Sequence, residues 1–283
     1  MHSIIFIIQS FILGVVEGIT EFLPISSTGH LIVFENLMKF KGTNKNYVEM
    51  YTYVIQLGAI LAVVVLYWKK ILQTLKNFFP QKVGYKKSGF RFWFMVVLAC
   101  IPGFIGQMLL GDLADKYLFN HVSVAIVLFL GGILMIYAEK AFRNRKASID
   151  KEIYVTSKQA WTVGLFQCLA IIPGMSRSAS TIIGGWVAGL STVTAAEFSF
   201  FLAIPVMLGM SFLKLVKIGG TANLTSLEVT SLGVGFFVAF VVALAVVKKF
   251  ITYLKKKPMR IFAFYRMAFA LVVLISGFFG IFG

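Results

Sequence analysis

Two short segments carry most of the side chains with which this chain could do chemistry. The first reads EGITEFLPISSTGH over residues 17 to 30. Glu17 and Glu21 are i and i+4 on a helix, about 6 Å apart along one face. In an apolar medium each charge costs roughly 2.5–3.5 kcal/mol, and two like charges that close repel. The pair therefore calls for water, a proton or a cation; alternatively one carboxylate is protonated or caps a neighbouring helix. After Pro24 come Ser26, Ser27, Thr28, Gly29 and His30. Ser and Thr can cap a new helix, and Gly permits a tight approach. Ser27 and His30 share a helical face, which places a nucleophilic hydroxyl beside a proton carrier; the plainer alternative is a Ser-rich cap with an interfacial His.

The second segment reads QCLAIIPGMSRSAST over residues 167 to 181. Pro173 and Gly174 break a helix, and Ser176, Ser178, Ser180 and Thr181 then gather around Arg177, the only arginine from Gln159 to Ala196. A guanidinium at a helix start, with free backbone N–H groups and a positive dipole end, makes an anion site. In the empty protein Arg177 could be neutralised by Glu17 or Glu21 and released when an anion binds. Carboxylates, hydroxyls, one imidazole and one arginine are the set that phosphoryl transfer needs. An anion carrier would need the Arg but has less use for the rest.

The elements that must position these groups lie in a membrane. Of 283 residues 59% are hydrophobic, 15% aromatic and only 13% charged, against roughly 45–50% and 25% for the apolar and charged shares of a soluble domain. A net charge of +16 would suit a nucleic-acid binder, but a mean hydropathy of +0.87 excludes a soluble one unless the charge sits in loops. It does. Residues 69–91 and 248–260 carry Lys and Arg without an acid, and residues 139–158 carry six bases against Glu139, Asp150 and Glu152. These stretches account for the whole excess, so they read as cytoplasmic loops under the positive-inside rule. Cys100 and Cys168 lie in apolar runs and form neither a disulfide framework nor a zinc spacing. The N-terminus has no basic region or cleavage site, so no removable signal peptide is expected.

Six uncharged runs are long enough to cross about 30 Å of hydrocarbon: Met50 to Trp68, Phe92 to Gly111, Tyr117 to Ala138, Phe198 to Leu213, Val229 to Val247, and Ile261 to Gly283, the last interrupted by Arg266. Connections 35–49, 112–116 and 214–228 then face outside. Residues 3–34 and 159–192 are apolar but broken by polar residues, Pro and Gly, and read as re-entrant helical hairpins, whose irregular backbone must face protein or a watery cavity. Aligning Gly14 with Gly164 also aligns Glu17 with Gln167, Ile19 with Leu169 and Ser26 with Ser176. In each half a hairpin precedes three spans, an odd number, so the second half is inverted. The expected architecture is an all-α integral membrane protein of six transmembrane helices plus two re-entrant hairpins. It forms a single membrane domain over 1–283 made of two inverted repeats, about 1–145 and about 150–283, with the two hairpin tips meeting near the midplane.

On these motifs, together with VIQLGAILAVVVLYW at 54–68, the chain resembles the undecaprenyl-diphosphatase family, the bacitracin-resistance phosphatases of bacterial membranes. The resemblance covers the whole chain. It implies hydrolysis of undecaprenyl diphosphate to the monophosphate and inorganic phosphate, which recycles the lipid carrier of cell-wall synthesis and confers bacitracin resistance, with a divalent cation (Mg or Ca). It implies that Glu17 and Glu21 bind the cation, or that Glu21 activates the nucleophile, with Ser27 as nucleophile and His30 transferring protons. Arg177 would act on the diphosphate, and Ser26, Thr28, Gly174, Ser176, Ser178 and Thr181 would bind substrate. Ser26 or water remain alternative nucleophiles. Ala179 departs from the family's usual Gly and removes no functional group. A second family of lipid phosphatases uses PSGH and a later SRx5HxxxD; here Ile183 stands where that His would fall, so its mechanism does not fit.

The partners so implied are a polyprenyl diphosphate and membrane lipids, with no nucleic acid and with room for a homodimer. The place is the bacterial cytoplasmic membrane, crossed several times, with the site opening outward. The competing class is an inverted-repeat transporter or lipid flippase for a phosphorylated substrate. Gln56 is a candidate cavity residue, and Glu197 is expected to open the fourth span and complement its N-terminal dipole, outside the catalytic set.

Overall fold

Runs of apolar residues bounded by Ser, Thr and Asn caps dictate an all-helical chain. The computed structural model describes residues 2–43, 46–143, 151–217 and 224–280. Among them there is no strand. In order the helices are α1 (His2–Thr20), α2 (Ser27–Leu37), α3 (Tyr47–Leu66), α4 (Trp68–Lys76), α5 (Pro80–Val83), α6 (Gly89–Leu118), α7 (His121–Phe142), α8 (Ser157–Gln167), α9 (Arg177–Val187), α10 (Thr192–Lys217), α11 (Ser226–Leu254) and α12 (Arg260–Phe278). Side-chain oxygens of Ser88, Asn120, Thr156 and Thr225 satisfy first-turn N–H groups of α6, α7, α8 and α11, the last two in capping boxes with Gln159 and Glu228.

Seven of these helices, α1, α3, α6, α7, α10, α11 and α12, are long and apolar enough to cross a membrane. Six correspond to the expected spans. The seventh, α1, is the first arm of the broken segment 3–34: it carries Glu17 and ends at Thr20, and the break, expected at Pro24, lies between it and α2, with Glu21 just past the end of α1. Its partner segment is shorter: α8 ends at Gln167 and a 3₁₀ turn carries the chain through Cys168–Ile171. Residues 112–116, expected to form an outer connection, continue α6. Arg266 does not interrupt α12. Glu197 does not open a span either. The helix α10 starts at Thr192, and Glu197 joins Glu152 in holding Lys70, each at 2.8 Å. Arg145 and Lys146 and the junction expected between the repeats lie outside the described residues.

Helix α1 packs on α11, and α8 on α6; α3 contacts α10 and α11, α7 lies along α12, and α9 and α2 touch α7 and α12 respectively. The α1–α11 crossing is set by small residues. A Cβ on Gly14 would stand 2.8 Å from the Gly235 carbonyl, and one on Gly18 would stand 2.8 Å from that of Ala239, so both helices place small residues four apart where their backbones meet. Gly14→Val is therefore expected to lower the thermal unfolding midpoint in detergent, at a cost on the order of 1–3 kcal/mol; an unchanged midpoint would mean that the helices separate freely. The opposite kind of surface occurs on α6, where Phe94, Val97, Ile101, Phe104, Ile105 and Met108 point outward, as lipid-facing side chains do.

Candidate active site

Both helix breaks are built in the same way. Ser26 caps α2 and Ser176 caps α9, each accepting from the backbone N–H three residues on, at Gly29 and Ala179. Both caps hold positive φ, 70° and 73°. That region is costly for a residue with a Cβ, about 1–3 kcal/mol each, and such strain collects at functional sites. The turn before α9 also uses Gly174 at φ 95°, pressed against the Val124 carbonyl of α7.

The two breaks meet. Glu21 uses one carboxylate oxygen to accept from Ser27 Oγ at 2.6 Å and the other to accept from Arg177 Nη2 at 2.8 Å. One side chain thus joins the hydroxyl of the first break to the guanidinium of the second. The contact is reinforced by Ser178 Oγ, which donates to the Leu23 carbonyl at 2.9 Å, and by the Phe22 ring, whose centroid lies 5.7 Å from the Arg177 guanidinium. Arg177 also reaches the Ser199 carbonyl of α10. Thr181 Oγ1 shares a 2.6 Å hydrogen bond with Ser199 Oγ, which fixes α9 against α10 instead of facing the opening.

A cavity of about 570 Å³ covers this junction. Glu21, Ser26, Ser27, Thr28, Gly174, Ser176 and Arg177 line it, whereas Glu17, His30, Ser178 and Thr181 do not. Glu17 is fully buried, and neither of its oxygens has a hydrogen-bond partner among the described residues. His30 turns away from the opening: Nδ1 meets the Ser26 carbonyl at 2.7 Å, Nε2 meets the Tyr265 hydroxyl at 2.8 Å, and the ring stacks 3.8 Å from Phe269. Gln56 does line the cavity, as do Tyr53, Gln107 and Gln167, the last three not singled out from sequence. The alignment of Glu17 with Gln167 was the one available signal for Gln167.

Beyond the polar floor the walls are apolar. Val97, Ile101 and Phe104 of α6 and Leu213 of α10 line the cavity and are exposed, so the cavity is open along α6 and α10. A polar end with an arginine and a hydroxyl–carboxylate pair, continued by an apolar slot between helices, suits an amphiphile with an anionic head and a hydrocarbon tail.

The chain is 66% identical over 282 residues, covering all of both chains, to a protein of Ruminiclostridium cellulolyticum named undecaprenyl-diphosphatase. It is 54% identical to one of the same name from Clostridium tetani, over 97% of this chain and 98% of that one. It is 48% identical to undecaprenyl-diphosphatase 2 of Clostridioides difficile, over 98% and 96%. The family model for bacitracin resistance protein BacA matches residues 10–272, a stretch that holds both helix breaks and every residue joined at them, and the chain belongs to that family.

Proposed function

We propose that this chain hydrolyses undecaprenyl diphosphate to undecaprenyl phosphate and inorganic phosphate, recycling the lipid carrier of cell-wall synthesis and so raising tolerance to bacitracin. The observation that carries the reading is the bridge made by Glu21 between Ser27 and Arg177. In it a hydroxyl, a base that already accepts its proton, and a cation for phosphate oxygens stand on one side chain at the floor of a cavity.

The chemistry follows from that bridge. The incoming diphosphate is a stronger partner for Arg177 than one carboxylate oxygen, because the guanidinium can pair bidentately with phosphate oxygens. Arg177 and the free N–H groups at the start of α9 then neutralise the terminal phosphoryl group. Ser27 Oγ attacks that phosphorus in line, and its proton passes to Glu21 Oε2. The bond to the bridging oxygen breaks, and the lipid monophosphate leaves with the proton from Glu21, which is again a carboxylate. Water, deprotonated by Glu21, next attacks the phosphorus; the serine–phosphate bond breaks, Ser27 Oγ takes the proton back from Glu21, and inorganic phosphate leaves. In this scheme the proton transfer that the family resemblance implies for His30 falls to Glu21. Ser26 shapes the cap, and Thr28, Gly174, Ser176, Ser178 and Thr181 form or brace the anion-binding surface.

A divalent cation fits the donor chemistry in part. Glu17 and Glu21 offer the hard carboxylate oxygens that Mg and Ca take, and the oxygens of Glu17 have no hydrogen-bond partner among the described residues to compete with such an ion. No group of three or more acidic, His or Cys side chains gathers at this pair or elsewhere among the described residues, so substrate oxygens and water would have to complete the shell. A cation held there would add charge stabilisation to the departing phosphate oxygens.

The finer topology belongs to the same proposal: two inverted repeats, with α1–α2 and α8–α9 as re-entrant hairpins. What supports it is that exchanging the halves maps the packed pair α1–α11 onto α8–α6, and α2–α12 onto α9–α7, and that the caps match in residue and backbone angle. The start of α10 is tied through Lys70 to the basic side, and the cavity follows the other half of that helix. The site therefore opens toward the exterior face of the bacterial cytoplasmic membrane.

The test is phosphate release from undecaprenyl diphosphate by the purified chain in proteoliposomes. Release that a chelator abolishes and added Mg or Ca restores is the expected result. Translocation of the lipid with no phosphate released would overturn the reading in favour of a carrier.

A further inference from the structure

Both helix breaks hang on two consecutive residues of α12. Tyr265 donates to, or accepts from, His30 Nε2 at 2.8 Å, and His30 Nδ1 in turn donates to the Ser26 carbonyl at 2.7 Å. Arg266 reaches the other break directly: Nη2 donates to the carbonyls of Gly174 at 2.8 Å and Met175 at 3.0 Å, and Nε donates to the Leu128 carbonyl of α7 at 3.1 Å. Arg266 is completely buried and makes no salt bridge among those the described residues form. It passes over Gly131 of α7 so closely that a Cβ there would collide with Nη2. A buried, charged side chain that serves only backbone carbonyls is expensive, and what it secures here is the turn that presents Arg177.

The chemistry of the His30 ring points the same way. A carbonyl oxygen only accepts, so Nδ1 carries a hydrogen, and the tyrosine hydroxyl engages Nε2 in either protonation state. Both nitrogens are occupied away from Ser27, whose hydroxyl is turned to Glu21. The second break has a side chain in the matching place: Ser180, four residues after its cap as His30 is after Ser26, donates to the Ser176 carbonyl at 2.9 Å. A serine does not take up and hold a proton near neutral pH as an imidazole does, yet it makes the same bond. The shared task is to hold the carbonyl of a strained cap.

We infer that Tyr265, acting through His30, and Arg266 are positioning residues of α12 that hold the two broken segments in register, so that Ser27 and Glu21 of one face Arg177 of the other. This rests on the proposed phosphatase reading and deepens it.

The measurements are kcat, KM and the pH profile of phosphate release by the full-length chain in proteoliposomes, with monodispersity and melting midpoint checked for each variant. Tyr265→Phe keeps the ring stack and loses one hydrogen bond; kcat is expected to fall about 5–10-fold with KM within about twofold and the profile unshifted. His30→Ala is expected to lose about 10²-fold or more. His30→Asn, whose amide nitrogen can take the place of Nδ1 but cannot carry a proton, is expected to recover at least about tenfold of that. Arg266→Lys is expected to keep more kcat than Arg266→Met; where Arg266→Met fails to fold, the Tyr265 and His30 variants decide. The inference is overturned if His30→Asn is as inactive as His30→Ala, if a limb of the pH profile vanishes with it, or if Tyr265→Phe turns over like the parent. Absence of phosphate release by the unsubstituted chain would instead sink the phosphatase reading itself.

Discussion

Ser27→Ala should reduce phosphate release from undecaprenyl diphosphate by about 10⁴-fold or more, the scale expected when the attacking atom of a covalent route is removed. The change deletes one oxygen and leaves the helix cap intact, because capping is done by Ser26. Glu21 keeps its bond to Arg177, so the two breaks stay together, and substrate binding measured by lipid competition should change little. Glu21→Gln should be nearly as severe. Its amide can no longer take the Ser27 proton, and Arg177 is left in the empty protein without its carboxylate. Because nucleophile and base act as a unit, the double variant should be scarcely worse than Ser27→Ala alone. A Ser27→Ala protein that retains a tenth of the parent rate would hand the attack to water or to Ser26.

Arg177→Ala carries the second large effect, about 10²–10³-fold in kcat, the usual loss when a donor aimed at developing charge is removed. Here the loss extends to assembly. Arg177 is the only salt-bridge partner of Glu21 among the described residues, and truncating one member of a buried pair costs about 2–5 kcal/mol, much of it the penalty of stranding the other. Arg177→Ala should therefore also lower the melting midpoint of the empty protein. Arg177→Lys separates the two contributions. Retained charge should restore stability, while the lost planar fork leaves turnover well below the parent. Equal turnover by the Lys variant would mean that a point charge suffices and that bidentate recognition of the phosphoryl group is not used.

Much of this site is legible in the residue types alone, and for one reason. Ionisable groups inside apolar runs are costly enough that few are kept without a task, so Glu17, Glu21, His30 and Arg177 stand out by type alone. The caps at Ser26 and Ser176 were legible too, since a hydroxyl after a Pro break is a local helix-start signal. The offset that pairs these two serines also pairs α1 with α8 and α2 with α9. Boundaries were less legible. The helix α6 continues through Asp112 and Asp115, expected in an outer connection, because an isolated acid interrupts hydropathy without interrupting hydrogen bonding.

Which groups touch was not legible. Helical spacing puts Ser27 and His30 on one face, but a face is wide, and the hydroxyl turned back across the break to Glu21 while the ring turned to α12. Arg266 looked like an interruption of a span; only the close approach of α7, α9 and α12 reveals it as the clamp on the second break. Composition, charge placement and local break signals are short-range properties, and they determine that this is a helical membrane chain with two polar interruptions suited to phosphate chemistry. The pairing of Glu21 with both Ser27 and Arg177, the cavity open along α6 and α10, and the hold of α12 on both breaks depend on side chains far apart in the chain. Such contacts exist only once the helices have packed, and tertiary structure alone decides them.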